Sequence, residues 1–120
     1  VTSGTSERQI QRAILRRLAE VLPPDVTWLH VPNQTAAPAE YAKALLGDGM
    51  KPGAPDLLLF CCGRGYGLEV KRPGERATPV QEAFHARLKA SGVPVAVVTS
   101  PDAAEAALRR WGLPVSQWAA

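Results

Sequence analysis

The stretch Gly53-Ala54-Pro55-Asp56-Leu57-Leu58-Leu59-Phe60-Cys61-Cys62-Gly63-Arg64-Gly65-Tyr66-Gly67-Leu68-Glu69-Val70-Lys71 decides how the rest of the chain is read. Leu57 to Cys62 is a continuous apolar run of strand length, and Gly67 to Lys71 is a second extended segment. The Gly63-Arg64-Gly65-Tyr66 turn between them predicts an antiparallel hairpin. In the second strand, the two-residue period puts Glu69 and Lys71 on one face and Leu68 and Val70 on the other. Asp56 stands immediately before the first strand. It is thirteen positions from Glu69, but a strand that starts where its neighbour ends closes that separation.

Two acids and a lysine are therefore expected to converge. Carboxylates held a few ångströms apart repel, and a hard divalent cation such as Mg²⁺ relieves that cost while activating water for attack on phosphate. Lys71 would orient or help deprotonate the water and stabilise charge growing on the phosphoryl group. A second reading stands beside this one: Glu69 and Lys71 as a same-face pair on a solvated strand, with Asp56 as a turn residue after Pro55. A sheet covered by helices leaves little room for a solvated face, which favours the site.

Working outward, Ser6 and Gln9 form a capping box for a helix from Glu7 to Leu22, with Ile10, Ile14, Leu18 and Val21 as its buried stripe. Pro23 and Pro24 end it. Glu7 and Gln11 begin that apolar stripe, an unusual place for a solubilising carboxylate. Val26 to Val31 reads as a strand stopped by Pro32, followed by a short helix over 38–46 and a Gly/Pro loop over 47–55. After the hairpin, Thr78, Pro79 and Gln81 start a helix to Ala90 in which Val80, Phe84 and Leu88 are expected to be buried, and Gly92 closes it. Val93 to Thr99 is a further strand. Ser100-Pro101 launches a last helix to Arg110, with Ala104, Ala107, Leu108 and Trp111 facing inward. The 80–90 helix is then a crossover between parallel strands, which gives a small mixed sheet with helices on both faces.

At 120 residues the chain is expected to be one domain, with a core over 7–112 and a short tail over 113–120 in which Val115 and Trp118 cap the core or, as the less simple reading, pack against another copy of the chain. Fourteen Lys/Arg against eleven Asp/Glu give a net charge of +3, which favours an anionic partner without demanding one. Cys61 and Cys62 are adjacent in an apolar run, which reads as core thiols in a reducing compartment, without the Cys/His spacing of structural zinc. No apolar stretch has membrane-spanning length and no hydrophobic block opens the chain, so an intracellular, cytoplasmic protein is expected.

The stretch Gly49-Met50-Lys51-Pro52-Gly53-Ala54-Pro55-Asp56, the strand Leu57-Leu58-Leu59-Phe60, the segment Gly67-Leu68-Glu69-Val70-Lys71-Arg72-Pro73 and Thr78-Pro79-Val80-Gln81 resemble stand-alone VRR-NUC domains of phage and bacterial origin. These domains are a branch of the PD-(D/E)XK nuclease superfamily, and the resemblance covers about residues 7 to 112. It implies an α/β restriction-endonuclease-like core, a small mixed β-sheet flanked by helices. It also implies that Asp56 and Glu69 hold Mg²⁺ or Mn²⁺, that the Val70 backbone carbonyl completes the protein ligands, and that Lys71 serves the attacking water. Gln81 faces the site from the following helix, and Glu7 lines the same cleft as a further candidate ligand.

The activity so implied is metal-dependent hydrolysis of DNA phosphodiester bonds, in branched DNA such as four-way (Holliday) junctions, by a homodimer whose paired sites make two symmetric cuts. Lys51, Arg72 and Arg76, with Arg8, Arg12 and Arg16 along the first helix, suit phosphate contacts, although interspersed acids allow a plain surface role for each. His30 and Asn33 fall at the cleft rim, where His30 reads equally as a packing or capping residue. Tyr66 reads as turn packing and, less simply, as a base-stacking ring. His85, one turn past Gln81, reads as an isolated helical histidine and, less simply, as a residue that approaches the substrate. The alternatives are a non-catalytic nucleic-acid-binding or assembly protein on the same fold, and a nuclease for linear DNA.

Overall fold

A computed structural model of the chain describes residues 5–32, 43, 47, 49 and 51–116. Caps set its helices. In α1 (Glu7–Val21) the Ser6 hydroxyl accepts from the Gln9 N–H at 3.1 Å, and the Gln9 side chain accepts from the Ser6 N–H at 2.8 Å. Two donors that a helix start leaves without partners are thus satisfied. Thr78 and Gln81 repeat the device at α2 (Pro79–Ala90), and the Ser100 hydroxyl accepts from the Ala103 N–H at α3 (Pro101–Arg110). Both of the later helices carry proline in the first turn, where its missing N–H costs nothing.

Four strands, β1 (Thr27–His30), β2 (Leu57–Cys61), β3 (Arg64–Val70) and β4 (Val95–Val98), make one sheet in the order β1-β2-β3-β4 among the described residues. The first three are antiparallel to their neighbours, and β3 pairs parallel with β4 through the crossover helix α2. On one face, Leu57, Leu59, Leu68, Val70 and Val98 pack against Ile10, Ile14 and Leu18 of α1 and Ala104, Ala107 and Leu108 of α3. The methyl side chains of Ala104 and Ala107 let α3 approach closely, and Arg17 ties α1 to it through Asp102 at 2.9 Å and Glu105 at 3.0 Å. Ile14, Leu18, Leu57, Leu59, Leu68 and Leu108 are fully buried, each worth roughly 1.5–3 kcal/mol in transfer free energy. Val115 packs on the margin of this core, and the Ser116 N–H donates to the Val21 carbonyl at 2.7 Å.

Four expectations change. The hairpin turn is the pair Cys62-Gly63, not Gly63 to Tyr66, because both residues hold positive φ (57° and 77°), the left-handed pair that joins twisted strands in two residues. Arg64, Gly65 and Tyr66 therefore belong to β3. Tyr66 is buried, with its ring stacked on Trp111 at 5.2 Å, so it is a core residue and not a base-stacking one. Cys61 is buried but Cys62, carried out by the turn, is exposed. Helix α2 buries none of its residues: Val80 is 55% exposed, and Phe84 and Leu88 are only half-buried. It lies on the sheet face opposite the core, where its side chains meet polar groups. The expected helix over 38–46, Asn33 and Trp118 lie outside the described residues, apart from Lys43 at a helical position. No helix among the described residues is long and apolar enough to cross a membrane.

Candidate active site

The two-residue turn fixes where the acids meet. Cys61 pairs with Arg64, and the ladder runs back in register to Leu57 opposite Leu68, so the next position sets Asp56 opposite Glu69. Both fall on the face that α2 covers, because Leu57 and Leu68 face the core. The Asp56 carboxylate accepts from the Val70 N–H at 2.7 Å, and its carbonyl accepts from the Val31 N–H at 2.8 Å, which ties the end of β1 to the same spot.

Glycine makes room for the loop that delivers Asp56. A Cβ on Gly67 would stand 3.0 Å from Pro55 Cγ and 3.1 Å from Val95 Cγ2, so Pro55 lies directly on the sheet. Gly53 has φ +89°, and a Cβ there would come within 2.6 Å of the Val80 carbonyl oxygen. The Gly/Pro loop is held between the sheet and the start of α2.

Glu69 is 2% exposed and Lys71 7%. Gln81 Nε2 lies 3.3 Å from Glu69 Oε2, and His85 Nε2 lies 3.1 Å from Glu69 Oε1. Burial, then the hydrogen-bonding and negatively charged Asp56 carboxylate, push the Glu69 pKa up to about 9 against the opposing pull of Lys71. Glu7, half-buried, is also raised: burial leads, a hydrogen bond with Glu75 adds to it, and Lys71 opposes. Glu75 is lowered, first because the Arg72 N–H donates to it at 2.7 Å and next through its bond with Glu7. Burial pushes the His85 imidazole down, toward its neutral form.

The result is a run of carboxylates, with Asp56, Glu69 and Glu7 near the buried Lys71 and Glu75 beside Glu7. Burial and the Asp56 carboxylate together outweigh the one nearby Lys71 and hold Glu69 toward its protonated form. That is the condition a hard cation relieves, and the oxygen donors suit Mg²⁺ or Mn²⁺. No group of three or more His, Cys, Asp or Glu side chains is arranged around one metal position among the described residues. Two carboxylates with backbone and water in the remaining positions are the donor set that Mg²⁺, reluctant to lose its waters, ordinarily takes. The chemistry of the donors therefore fits the metal.

The expected residues are distributed as follows. Asp56, Glu69, Lys71, Gln81 and Glu7 come together. His30 Nδ1 lies 3.0 Å from Gln11 Nε2 and 3.2 Å from the Asp56 carbonyl, so one tautomer accepts from Gln11 and the other donates to the Asp56 backbone. Lys51, Arg8, Arg12 and Arg76 are exposed, and Arg72 pairs with Glu75 at 3.4 Å. Sequence reasoning names His85 only as an isolated helical histidine and gives Glu75 no part in the site. The first carried a usable signal, since a residue four past Gln81 shares its helix face. Glu75, beyond the Pro73-Gly74 turn, carried none.

The family profile described as the VRR-NUC domain matches residues 5–102. A solved structure titled "VRR_NUC domain protein" superposes with a TM-score of 0.73 at 20% identity, covering 91% of this chain and 89% of that one. A second, titled "VRR_NUC domain", gives a TM-score of 0.62 at 21% identity over 88% of this chain and 96% of that one. At these identities the superpositions speak for the fold alone. No curated protein sequence matches. With the profile spanning most of the chain, and the four-strand mixed sheet and three helices shared with those structures, the chain belongs to the VRR-NUC domain family, a nuclease-type α/β fold.

Proposed function

We propose that this chain is a Mg²⁺- or Mn²⁺-dependent, structure-selective DNA endonuclease that cuts branched DNA such as four-way junctions as a homodimer. The observation that carries the reading is the buried Glu69 facing Asp56 beside the buried Lys71. A nuclease-type fold alone would not license the activity, since one scaffold hosts many functions.

In this reading Asp56, Glu69 and the Val70 carbonyl hold the cation, which when bound polarises the scissile phosphate and makes water more acidic. The Val70 N–H fixes the Asp56 carboxylate before any substrate arrives, so no reorganisation is needed at the moment of reaction. Lys71 orients the attacking water and offsets charge growing on the phosphoryl oxygens. Gln81 steadies Glu69. Glu7 lines the cleft and draws Glu75 toward it. The exposed Arg8, Arg12, Lys51 and Arg76 hold DNA phosphates, with Arg72 and His30 at the rim. A chain of 120 residues offers little area to measure a junction, and a second copy supplies both that area and a second cut related by two-fold symmetry.

The test is a panel of labelled four-way junction, flap, nicked and linear DNA incubated with Mg²⁺, Mn²⁺ or chelator, together with a light-scattering mass. Metal-dependent cutting of the junction by a species of twice the protomer mass is expected. Binding without products would establish a non-catalytic protein, preference for linear ends a different nuclease, and a protomer mass would remove the dimer.

A further inference from the structure

Helix α2 poses a structural question: it crosses one face of the sheet, yet buries none of its residues. Its polar contacts with the sheet converge on one side chain. Gln81 and His85, four residues apart and so on one helix face, reach opposite oxygens of Glu69, with Gln81 Nε2 at 3.3 Å from Oε2 and His85 Nε2 at 3.1 Å from Oε1. The Glu69 side chain is 2% exposed and that of His85 14%. The helix is held in place by its N-terminal turn, where the Thr78–Gln81 box and the Gly53 backbone under the Val80 carbonyl seat it on the loop.

We propose that His85 is a positioning residue for the proposed metal centre: its Nε2–H holds Glu69 Oε1, so that α2 clamps the buried carboxylate in the rotamer that faces Asp56. The inference rests on the endonuclease reading above but concerns a residue to which that reading gives no role.

Three physical points support it. An ionised carboxylate has only acceptors, so with Glu69 ionised the contact at 3.1 Å requires the tautomer protonated at Nε2. A neutral imidazole donates that bond without adding a positive charge to a site meant for a cation. Finally, a buried carboxylate with one oxygen unpartnered has rotamer freedom that a ligand to a small, geometrically demanding ion cannot have. Gln81 restrains one oxygen and His85 the other.

The experiment compares wild type with His85→Leu, which keeps volume and removes the donor, and His85→Gln, whose amide returns a donor at similar reach. Mn²⁺ affinity is read by calorimetry and by the free-Mn²⁺ EPR signal in the absence of DNA. Thermal melts and junction-cleavage kinetics are run in parallel. His85→Leu is expected to weaken Mn²⁺ binding roughly 10- to 100-fold and to lower kcat at fixed metal, with KM for DNA within about twofold of wild type. Its melting temperature should barely move, because α2 contributes nothing to the buried core. His85→Gln is expected to recover most of the lost affinity. Wild-type Mn²⁺ affinity in His85→Leu, or a His85→Gln variant as weak as His85→Leu, would overturn the clamp. Mn²⁺ binding that responds to these variants in a protein that cuts no DNA would leave the clamp standing and overturn the endonuclease reading. A wild-type chain that binds no Mn²⁺ would overturn both.

Discussion

In chelator, the proton on Glu69 makes stability fall as pH rises through neutrality. The folded state holds that proton to about pH 9, while the unfolded chain releases it near 4.5. Between those values the native state binds one proton more, so the stabilisation that is complete below pH 4.5 is lost progressively up to about pH 9. One extra proton corresponds to a slope of about 1.4 kcal/mol per pH unit. The window from pH 7 to 8 lies above the ordinary histidine range, and burial of His85 moves its titration further from it. A 120-residue domain unfolds with an entropy of about 250 cal/mol/K, so that slope becomes a Tm drop of about 5 °C between pH 7 and 8. Differential scanning fluorimetry in EDTA reads it directly. Glu69→Gln, isosteric with the protonated acid, should match wild type only near pH 4.5, be more stable than it at pH 7 by about 3 kcal/mol because its unfolded chain releases no proton, and lose the slope. Saturating Mn²⁺ should raise Tm more at pH 8 than at pH 7, since metal binds the ionised form; at one hundred times Kd the gain is about 2.7 kcal/mol. A wild-type Tm that stays level from pH 7 to 8 in EDTA, or a slope that survives in Glu69→Gln, would refute the buried-proton argument.

Lys71→Met should lower junction cleavage roughly 10²- to 10⁴-fold while gel-shift affinity in Ca²⁺ is kept; full activity would remove Lys71 from the water's environment. Leu59→Ala, at a fully buried position, should cost about 2–5 kcal/mol in urea unfolding, whereas Phe60→Ala, at a residue 44% exposed on the opposite face, should cost clearly less; equal losses would contradict the assigned faces. Arg8→Ala and Arg12→Ala should each lower the slope of log K against log salt for DNA binding by about one unit, and unchanged slopes would leave both as solvated surface.

Much of this was legible because the decisive signals are local. Ser6 with Gln9 and Thr78 with Gln81 are hydrogen-bonding boxes that a reader can find in the sequence and that form in the fold. The alternation at Leu68, Glu69 and Val70 is a property of any strand. The turn was misplaced because Gly63, Gly65 and Gly67 all invite one. The structure resolves the choice at Cys62, a residue with a side chain in the left-handed region, which no glycine rule would select. That error mattered: a turn over 63–66 pairs Cys62 with Gly67 and would carry Asp56 four positions past Glu69, whereas the turn at 62–63 sets the two opposite. The burial of Val80, Phe84 and Leu88 was overread for a related reason. Helical spacing says that three apolar residues share a side, but not whether a core lies beneath them. Here the apolar core is on the other side of the sheet and a carboxylate lies beneath α2.

The net charge of +3 also hides a separation that bears on how such a site would operate. Glu7, Asp56, Glu69, Glu75 and Lys71 gather in one place, which leaves thirteen Lys/Arg against seven Asp/Glu over the rest of the chain. The remainder can therefore attract a polyanion while the centre itself repels a phosphate. Protonation of Glu69 reduces that repulsion only in part. A divalent cation would reverse it, and it would do so by displacing the proton from the same carboxylate. In that reading proton and metal would be alternative occupants of one buried carboxylate, and the cost of burying Glu69 charged without either would hold the site open to metal. Stability of the metal-free chain and readiness for the proposed chemistry are opposed at this residue, because a site relaxed enough to leave Glu69 comfortably ionised would have less to gain from a cation.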